Sequence, residues 1–311
     1  MGEKKYIGIE IGGTKFQAIV ADEKLNIFER VFVTVGDVKK ASILQDKIKN
    51  SITKLMYNHE IESIGVGFGG PIDIISGKIF ASFQVEGWNN FNLKMWLNNK
   101  FNIPVFVEND ANTAALAEAR IGCGENFNRV FYITLGSGVG GGFVIDGEIY
   151  HGKSLCESEF GHIRINKDGA TVESCCSGWA LNNKLREYIR KEPDGILSEL
   201  AKDKGEDPSK FILEAIKKGD LKAKAIIYNM TDNLAFGLSH VVHLLNPDII
   251  IVGGGLSLIG EYISVSILTM IPKYIMASIK NNLPEIKIAS LKEDVVPVGA
   301  VLLARKSQKV S

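Results

Sequence analysis

The tripeptide Glu108-Asn109-Asp110 places two carboxylates and an amide where a strand gives way to a helix. A short buried strand is predicted at 104–107, and a helix is predicted at 111–121. A carboxylate within hydrogen-bond reach of a hydroxyl can accept its proton while a phosphoryl group is transferred. Aspartate is also a good helix N-cap, so the local pattern leaves a catalytic and a capping role of Asp110 open.

Three glycine clusters accompany this tripeptide: Gly12-Gly13-Thr14-Lys15, Gly136-Ser137-Gly138, and Gly253-Gly254-Gly255. Glycines let backbone N–H groups approach an anion closely. The first cluster alone is compatible with an ordinary hairpin turn, and it is not a Walker loop because no helix follows it. The second opens a run with more glycine than a simple turn needs, and the strand after it excludes a dinucleotide fingerprint. Together the clusters predict a phosphate-binding protein.

The elements that position these residues alternate between strands and helices. Strands are predicted at 6–11, 16–21 and 27–33, which suggests an antiparallel meander with the first glycines in its hairpin. The pattern of strand, glycine turn and strand returns at 130–145, about 120 residues later. We interpret this return as a weak internal duplication in an α/β protein.

Composition narrows the class further. A chain of 311 residues suits two domains of about 150 residues each. Its 36 basic residues balance 36 acidic ones, which disfavours a nucleic-acid partner. No apolar stretch reaches the roughly 18 residues of a membrane span, and no signal-peptide core is visible, so we expect a cytoplasmic protein without a membrane partner. Four cysteines imply no disulfide framework.

A further polar cluster is Glu159-Phe160-Gly161-His162. A carboxylate and an imidazole three residues apart could both face an array of sugar hydroxyls. Taken alone, a histidine such as His162 is more often structural than a ligand contact. Asn109 can both donate and accept hydrogen bonds, which also suits a polyol.

Seen together and in order, these segments resemble the ROK family of sugar kinases and repressors. The segments that carry the resemblance are Ile9-Glu10-Ile11-Gly12-Gly13-Thr14-Lys15, Gly69-Gly70-Pro71, Gly87-Trp88, Glu108-Asn109-Asp110-Ala111-Asn112, Leu135-Gly136-Ser137-Gly138-Val139-Gly140-Gly141-Gly142, Glu159-Phe160-Gly161-His162 and Pro247-Asp248-Ile249-Ile250-Ile251-Val252-Gly253-Gly254-Gly255. The resemblance implies a two-domain α/β fold of the actin-like ATPase and sugar-kinase type with a central cleft. We expect a small N-terminal domain of residues 1–110 plus 297–311 and a large domain of residues 111–296.

The resemblance also implies the activity and its residues. Asp110 would take the proton from the 6-hydroxyl of a hexose, with ATP as phosphoryl donor and Mg²⁺ as its counterion. The expected sugar contacts are Gly70, Gln84, Asn109, Glu159 and His162. The expected phosphate contacts are Gly12, Gly13, Thr14, Lys15, Gly136, Ser137 and Gly138, with Gly253, Gly254 and Gly255 near the adenosine. A homodimer or other homo-oligomer is expected from the family alone.

The chain departs from the family pattern in three places. Glu10 stands where the family has aspartate, and this longer carboxylate would hold Mg²⁺ through water. The family's zinc-binding cysteines are replaced by the adjacent pair Cys175 and Cys176, which are poor tetrahedral ligands, so we expect no structural zinc and two core residues instead. A glutamate that contacts sugar in several relatives aligns with Leu181 when the segments are matched on Gly178.

Several alternatives stay open at this point. Glucose or a broad set of aldohexoses is the favoured substrate, and the kinase alternatives are a fructokinase and an N-acetylhexosamine or N-acylmannosamine kinase. The non-enzyme alternative is a sugar sensor of the same family. A repressor is disfavoured because the first strand begins at residue 5 or 6 and leaves no room for a DNA-binding domain ahead of it.

Overall fold

The structure, a computed structural model, describes residues 3–13, 15–34, 40–80, 86–153 and 157–305. The chain divides into two compact units, which we call unit 1 and unit 2. Unit 1 comprises Met1–Gly122, Gly147–Glu157 and Leu291–Ser311, and unit 2 comprises Cys123–Asp146 and Ser158–Ser290. In the described part of the chain, no helix is both long enough and apolar enough to cross a membrane.

Unit 1 is built on a five-stranded sheet with the order β3-β2-β1-β4-β7. The strands are β1 (Lys5–Ile11), β2 (Lys15–Asp22), β3 (Ile27–Thr34), β4 (Ser63–Phe68) and β7 (Val105–Asn109). The first three form the predicted antiparallel meander. β4 runs parallel to β1, and β7 runs parallel to β4, so the carboxyl ends of three strands meet at one edge.

The helices of unit 1 include one from the end of the chain. They are α1 (Ala41–Asn58), α2 (Leu93–Phe101), α3 (Asp110–Ile121) and α10 (Val295–Ala304), and a small hairpin pairs β5 (Ile72–Asp73) with β6 (Lys78–Ile79). Helix α10 packs directly on backbone at two strand glycines. A Cβ atom at Gly8 would lie 2.1 Å from the Pro297 oxygen, and one at Gly65 would lie 1.8 Å from the Ala300 oxygen. Only glycine permits this approach.

Unit 2 repeats the arrangement of a hairpin beside parallel strands. Its strands lie in the order β9-β8-β11-β12, with bounds β8 (Arg129–Leu135), β9 (Val139–Ile145), β11 (Ile249–Gly253) and β12 (Glu285–Ile288). β8 and β9 are antiparallel, whereas β11 is parallel to both β8 and β12. This is the same order of pairing as in unit 1, which confirms the internal duplication.

Helices cover the apolar surface of the second sheet. They are α4 (Val172–Cys176), α5 (Gly178–Lys191), α6 (Ile196–Ala201), α7 (Ile212–Lys217), α8 (Leu221–Leu245) and α9 (Gly260–Met270). The short strand β10 (Glu148–Ile149) lies in the segment Gly147–Glu157, which belongs to unit 1. The long helix α8 buries Leu234, Leu238 and Val242 completely in the core of unit 2.

The boundary between the units differs from the one predicted at residues 110 and 111. Helix α3 belongs to unit 1, and the returning C-terminal segment begins at Leu291 and not at residue 297. Thr113 explains the position of α3. A Cβ atom at Gly299 would lie 2.1 Å from the Thr113 oxygen, and one at Gly67 would lie 3.2 Å from Thr113 Oγ1. The helix therefore packs against the sheet of unit 1 and against α10.

Candidate active site

Asn109 and Asp110 occupy different positions at the turn from β7 into α3. Asn109 is the N-cap, and its side-chain oxygen accepts hydrogen bonds from the N–H groups of Ala111 at 2.9 Å and Asn112 at 3.2 Å. Asp110 is the first helical residue, so the capping interpretation of this residue is wrong. Its Oδ1 accepts the Ala111 N–H at 2.8 Å. The helix macrodipole at this position favours a negative charge.

Gly69 brings the Asp110 carboxylate close to the first glycine loop. The Gly69 N–H donates to the Ile11 oxygen at 2.8 Å. A Cβ atom at Gly69 would lie 3.2 Å from Asp110 Oδ2, 3.3 Å from the Ile11 oxygen and 3.4 Å from Gly12 Cα. The carboxylate and the loop therefore approach each other across a residue that has no side chain.

Gly70 and Asn109, both expected to contact sugar, lie together beside Asp110. The Asn109 side-chain N–H donates to the Gly70 oxygen at 3.3 Å. Because the Asn109 oxygen already accepts two backbone N–H groups, the group this side chain can offer a ligand is its second N–H. The expectation that Asn109 would both donate and accept is corrected accordingly.

The Glu10 carboxylate lies at the base of the first glycine loop. Its Oε1 is 3.1 Å from Lys15 Nζ, and its Oε2 accepts a hydrogen bond from Gln17 Nε2 at 2.5 Å. Both carboxylate oxygens of Glu10 therefore have partners within the protein. Glu10 would hold Mg²⁺ through water, with Lys15 turned toward phosphate. The Gly12 N–H closes the turn on the Lys15 oxygen at 2.9 Å, with Gly13 between them. Thr14 and Gln84 lie outside the described residues.

The glycines of unit 2 separate into two kinds. At Gly136 and Gly255, a Cβ atom would meet nothing within 4 Å. At Gly138 it would lie 2.5 Å from Glu173 Oε2, and at Gly254, where φ is +83°, it would lie 2.6 Å from the Leu135 backbone. Packing therefore explains glycine at the second pair, whereas the first pair leaves open space beside the backbone.

The remaining loop residues complete these two turns. Ser137 is half-buried between Gly136 and Gly138, whose N–H and C=O groups close the turn at 3.0 Å. Gly253 ends β11 with its Cα against the Tyr132 ring, since a Cβ atom there would lie 2.0 Å from Tyr132 Oη.

Glu159 and His162 lie at a single 3-10 turn of unit 2, Phe160–His162, and both side chains are exposed. Gly161 fixes the turn against β9, because a Cβ atom there would lie 2.1 Å from the Val139 oxygen. The predicted site residues thus form two groups. Glu10, the first glycine loop, Gly70, Asn109 and Asp110 lie in unit 1, and the others that the structure describes lie in unit 2.

Glu173 is a polar residue that sequence reasoning missed. Its carboxylate accepts the Val139 N–H at 2.8 Å, and its Cβ lies 3.4 Å from the position of a Cβ atom on Gly161. Leu181, which was aligned with the family's sugar-binding glutamate, is completely buried in the core of unit 2. The position of Leu181 is therefore a packing position, and Glu173 is the glutamate beside the 3-10 turn.

The two adjacent cysteines differ in burial. Cys176 is in the core, as expected, and its thiol donates to the Met230 oxygen at 3.4 Å, whereas Cys175 is only partly buried. Burial raises the pKa of Cys176 to about 12. Within the described ranges, no three His, Cys, Asp or Glu residues are grouped as metal ligands.

Two more residues missed by the sequence reading come from the segment Gly147–Glu157. His151 Nε2 lies 3.3 Å from Glu108 Oε2, and its Nδ1 lies 3.0 Å from Glu157 Oε1. Glu108 directly precedes Asn109, so these contacts reach the turn that holds Asp110. Neither residue belongs to a recognisable local motif.

Known proteins were compared with the chain by sequence and by structure. The ROK family model matches residues 6–307. The glucokinase of Thermotoga maritima is 30% identical over 270 residues, which are 84% of this chain and 85% of that protein. The xylose repressor of Caldicellulosiruptor bescii is 27% identical over 268 residues, which are 82% of this chain and 67% of the repressor.

Structural comparison agrees with these matches. A ROK family glucokinase from Streptomyces griseus, solved in complex with glucose and AMPPNP, has a TM-score of 0.85 at 30% identity. The match covers 98% of this chain and 100% of that structure. The prediction of an α/β sugar-kinase fold is confirmed. The chain belongs to the ROK family.

Proposed function

We propose that the protein is an ATP-dependent kinase that phosphorylates the 6-hydroxyl of a hexose, namely glucose or a broad range of aldohexoses. The observation that carries this proposal is the approach of Asp110 to Gly12 across Gly69. A carboxylate that can accept a hydroxyl proton lies beside a backbone loop suited to phosphate, and phosphoryl transfer needs both.

The roles of the other unit 1 residues follow from their contacts. Gly70 and Asn109 lie beside the base and would hold sugar hydroxyls. Lys15, now paired with Glu10, is a cation within the first glycine loop that can turn to a phosphate. Mg²⁺ bound with ATP would offset negative charge on the transferring phosphoryl group, with Glu10 reaching it through water.

Unit 2 supplies groups suited to the nucleotide and to the far end of a sugar. The open backbone at Gly136 and Gly255 can approach phosphate and adenosine without obstruction by a side chain. Glu159 and His162 are exposed at one turn, with Glu173 beside it, and these can bind the hydroxyls at the anomeric end of an aldose. The glucose and AMPPNP bound by the Streptomyces griseus relative support both assignments.

The proposal is tested by initial rates of ADP release over a panel of hexoses. The panel contains glucose, mannose, fructose, N-acetylglucosamine and N-acetylmannosamine, each with ATP and Mg²⁺. We expect turnover with glucose or several aldohexoses. Preference for fructose or for an N-acetylated sugar would replace the aldohexose assignment, and no turnover with any sugar would favour the sensor.

Asp110→Asn tests the base. The amide oxygen of the variant can still accept the Ala111 N–H, and the Asn109 cap is untouched, so the fold should persist. We expect kcat to fall by about 10²- to 10⁴-fold, the usual contribution of a general base. Asp73→Asn, a change at a carboxylate in a surface turn of the same unit, is the control. Full turnover by Asp110→Asn would refute the assignment.

A further inference from the structure

Four side chains form a closed hydrogen-bonded ring in unit 1, behind the turn that holds Asp110. Glu108 contacts His151 at 3.3 Å, and His151 contacts Glu157 at 3.0 Å. Asn112 Nδ2 closes the ring, with 3.0 Å to Glu157 Oε1 and 3.1 Å to Glu108 Oε1. The Gly152 N–H also donates to Glu157 Oε2, at 3.1 Å. We call these four side chains the Glu108–His151 ring.

The Asn112 amide shows how strongly the two carboxylates order this ring. Asn112 is 5% exposed, and among the described residues its Oδ1 has no hydrogen-bond partner. A buried acceptor without a partner is unfavourable. The amide nevertheless keeps this orientation, in which its Nδ2 contacts both carboxylates.

The ring brings two buried carboxylates together, and His151 is the group that separates them. The side chains of Glu108 and Glu157 are 4% and 6% exposed. Two carboxylates in one buried site cannot both carry an unscreened charge. His151 Nδ1 faces Glu157 and Nε2 faces Glu108, so the imidazole lies between the two carboxylates. The ring therefore requires the imidazole.

The pKa values of the two carboxyl groups shift in opposite directions. Burial raises the pKa of Glu108, against the attraction of His151 and the hydrogen bonds from Asn109 and Asn112. Burial also opposes ionisation of Glu157, but hydrogen bonds, including those from Gly152, His151 and Asn112, leave its pKa below the usual value. Ionisation is therefore favoured more at Glu157 than at Glu108, and both carboxyl groups contact the imidazole.

Glu108 links this ring to the reactive turn. Its Oε1 accepts the backbone N–H of Asn109 at 2.9 Å. Asn109 in turn caps α3 and holds the Gly70 oxygen. Asp110 is the next residue, so a displacement of Glu108 moves the backbone from which the base projects.

We propose that His151 is a positioning residue for phosphoryl transfer, which holds the Asn109–Asp110 turn through Glu108 while Glu157 fixes its ring. The inference rests on the proposed kinase function. His151 does not need to contact sugar or nucleotide. Its substitution should therefore affect the rate of transfer more than the binding of either substrate.

His151→Ala is the primary test, with His59→Ala as a matched control. His59 is another histidine of unit 1 with two charged neighbours, at 3.3 Å from Lys5 Nζ and 3.1 Å from Glu29 Oε2, and neither neighbour belongs to the ring. We expect kcat of His151→Ala to fall roughly 10- to 100-fold, since a misplacement of about 1 Å can cost 10²-fold. KM for sugar and for ATP should stay within about threefold, and His59→Ala should keep its kcat.

A rescue variant separates charge repulsion from lost packing. His151→Ala combined with Glu157→Gln removes one of the two carboxylates that would face each other without the imidazole between them, so it should recover kcat by about fivefold or more over His151→Ala. A double variant no faster than the single one would assign His151 a purely structural role and overturn the proposal. So would an unchanged kcat in His151→Ala.

Amide hydrogen exchange tests the same link without turnover. We expect the peptide that contains Asn109 to exchange faster in His151→Ala than in wild type or in His59→Ala, because the acceptor of its N–H is displaced. Unchanged exchange would refute the proposal even if the wild-type protein phosphorylated no hexose. Absence of wild-type turnover together with faster exchange would refute the kinase function and leave the structural link established.

Discussion

Gly69→Ala tests how closely Asp110, the proposed base, and the first glycine loop must approach each other. The added methyl group would lie 3.2 Å from Asp110 Oδ2 and 3.3 Å from the Ile11 oxygen. Non-bonded atoms prefer separations of about 3.5–4.0 Å, so both neighbours must yield by a few tenths of an ångström. Such overpacking typically costs roughly 1–3 kcal/mol. Because a 1 Å misplacement can cost 10²-fold in rate, we expect kcat to fall by about tenfold.

The measurement is steady-state kinetics with the preferred hexose, together with thermal unfolding. Gly195→Ala is the control, because its methyl group would be equally crowded, at 3.1 Å from the Glu192 oxygen, yet it lies at the start of α6 in unit 2. We expect both variants to lose stability and only Gly69→Ala to lose kcat. Wild-type kcat in Gly69→Ala, or an equal loss in Gly195→Ala, would refute the reasoning.

Three further predictions concern single side chains. Gly136→Ala should keep the Tm of wild type but raise KM for ATP by about tenfold, or 1.4 kcal/mol, whereas Gly254→Ala should lower Tm because its φ is +83°. A lower Tm in Gly136→Ala with an unchanged KM for ATP would contradict this prediction. Iodoacetamide should label Cys175 before Cys176, because burial raises the pKa of Cys176 to about 12. Peptide mass spectrometry follows the two labelling rates, and faster labelling of Cys176 would contradict the prediction. Burial raises the pKa of Glu108, so its contribution to stability is lost as pH rises above about 4.5. The Tm of Glu108→Gln should therefore fall less than that of wild type over this rise, and parallel curves would contradict the assignment.

The sequence predicted the two sheets because the signals for them are local. Each sheet begins with β-branched residues, a glycine turn and a second strand, and this pattern is visible within about 20 residues. The same reasoning placed Asp110 at the end of a strand and the start of a helix. It could not decide which residue caps that helix, because asparagine and aspartate are equally good N-caps. The direction of the chain as it leaves β7 decides in favour of Asn109.

Leu181, which aligns with a sugar-contacting glutamate of several relatives, is a core residue of this chain. Leu181, Leu185 and Tyr188 lie at positions i, i+4 and i+7 of α5, and all three are buried. This spacing is the signature of a core-facing helix stripe and was present in the sequence. The spacing therefore indicates a packing position at Leu181, and the glutamate beside the 3-10 turn is Glu173 in the preceding segment.

His151 and Glu157 could not be found by any local rule. They follow Glu108 by more than 40 residues, and the strands β8 and β9 intervene. Their contact exists because the segment Gly147–Glu157 returns to unit 1 after the hairpin of unit 2. Periodicity and propensity report on neighbours along one element, whereas this return is a property of the tertiary fold.

At the β7–α3 turn, the residue that caps the helix and the proposed base are different residues. This separation matters because a general base changes its charge in every catalytic cycle. A general base loses its charge whenever it accepts a proton, and a charged N-cap that did so would weaken the first turn of its helix at every turnover. Here the cap is the amide of Asn109, which does not titrate, and the Asn109 N–H is held by Glu108. Protonation of Asp110, the proposed base, should therefore leave these anchors of the turn in place. Under the proposed function, this carboxyl group changes charge without losing the position from which it acts.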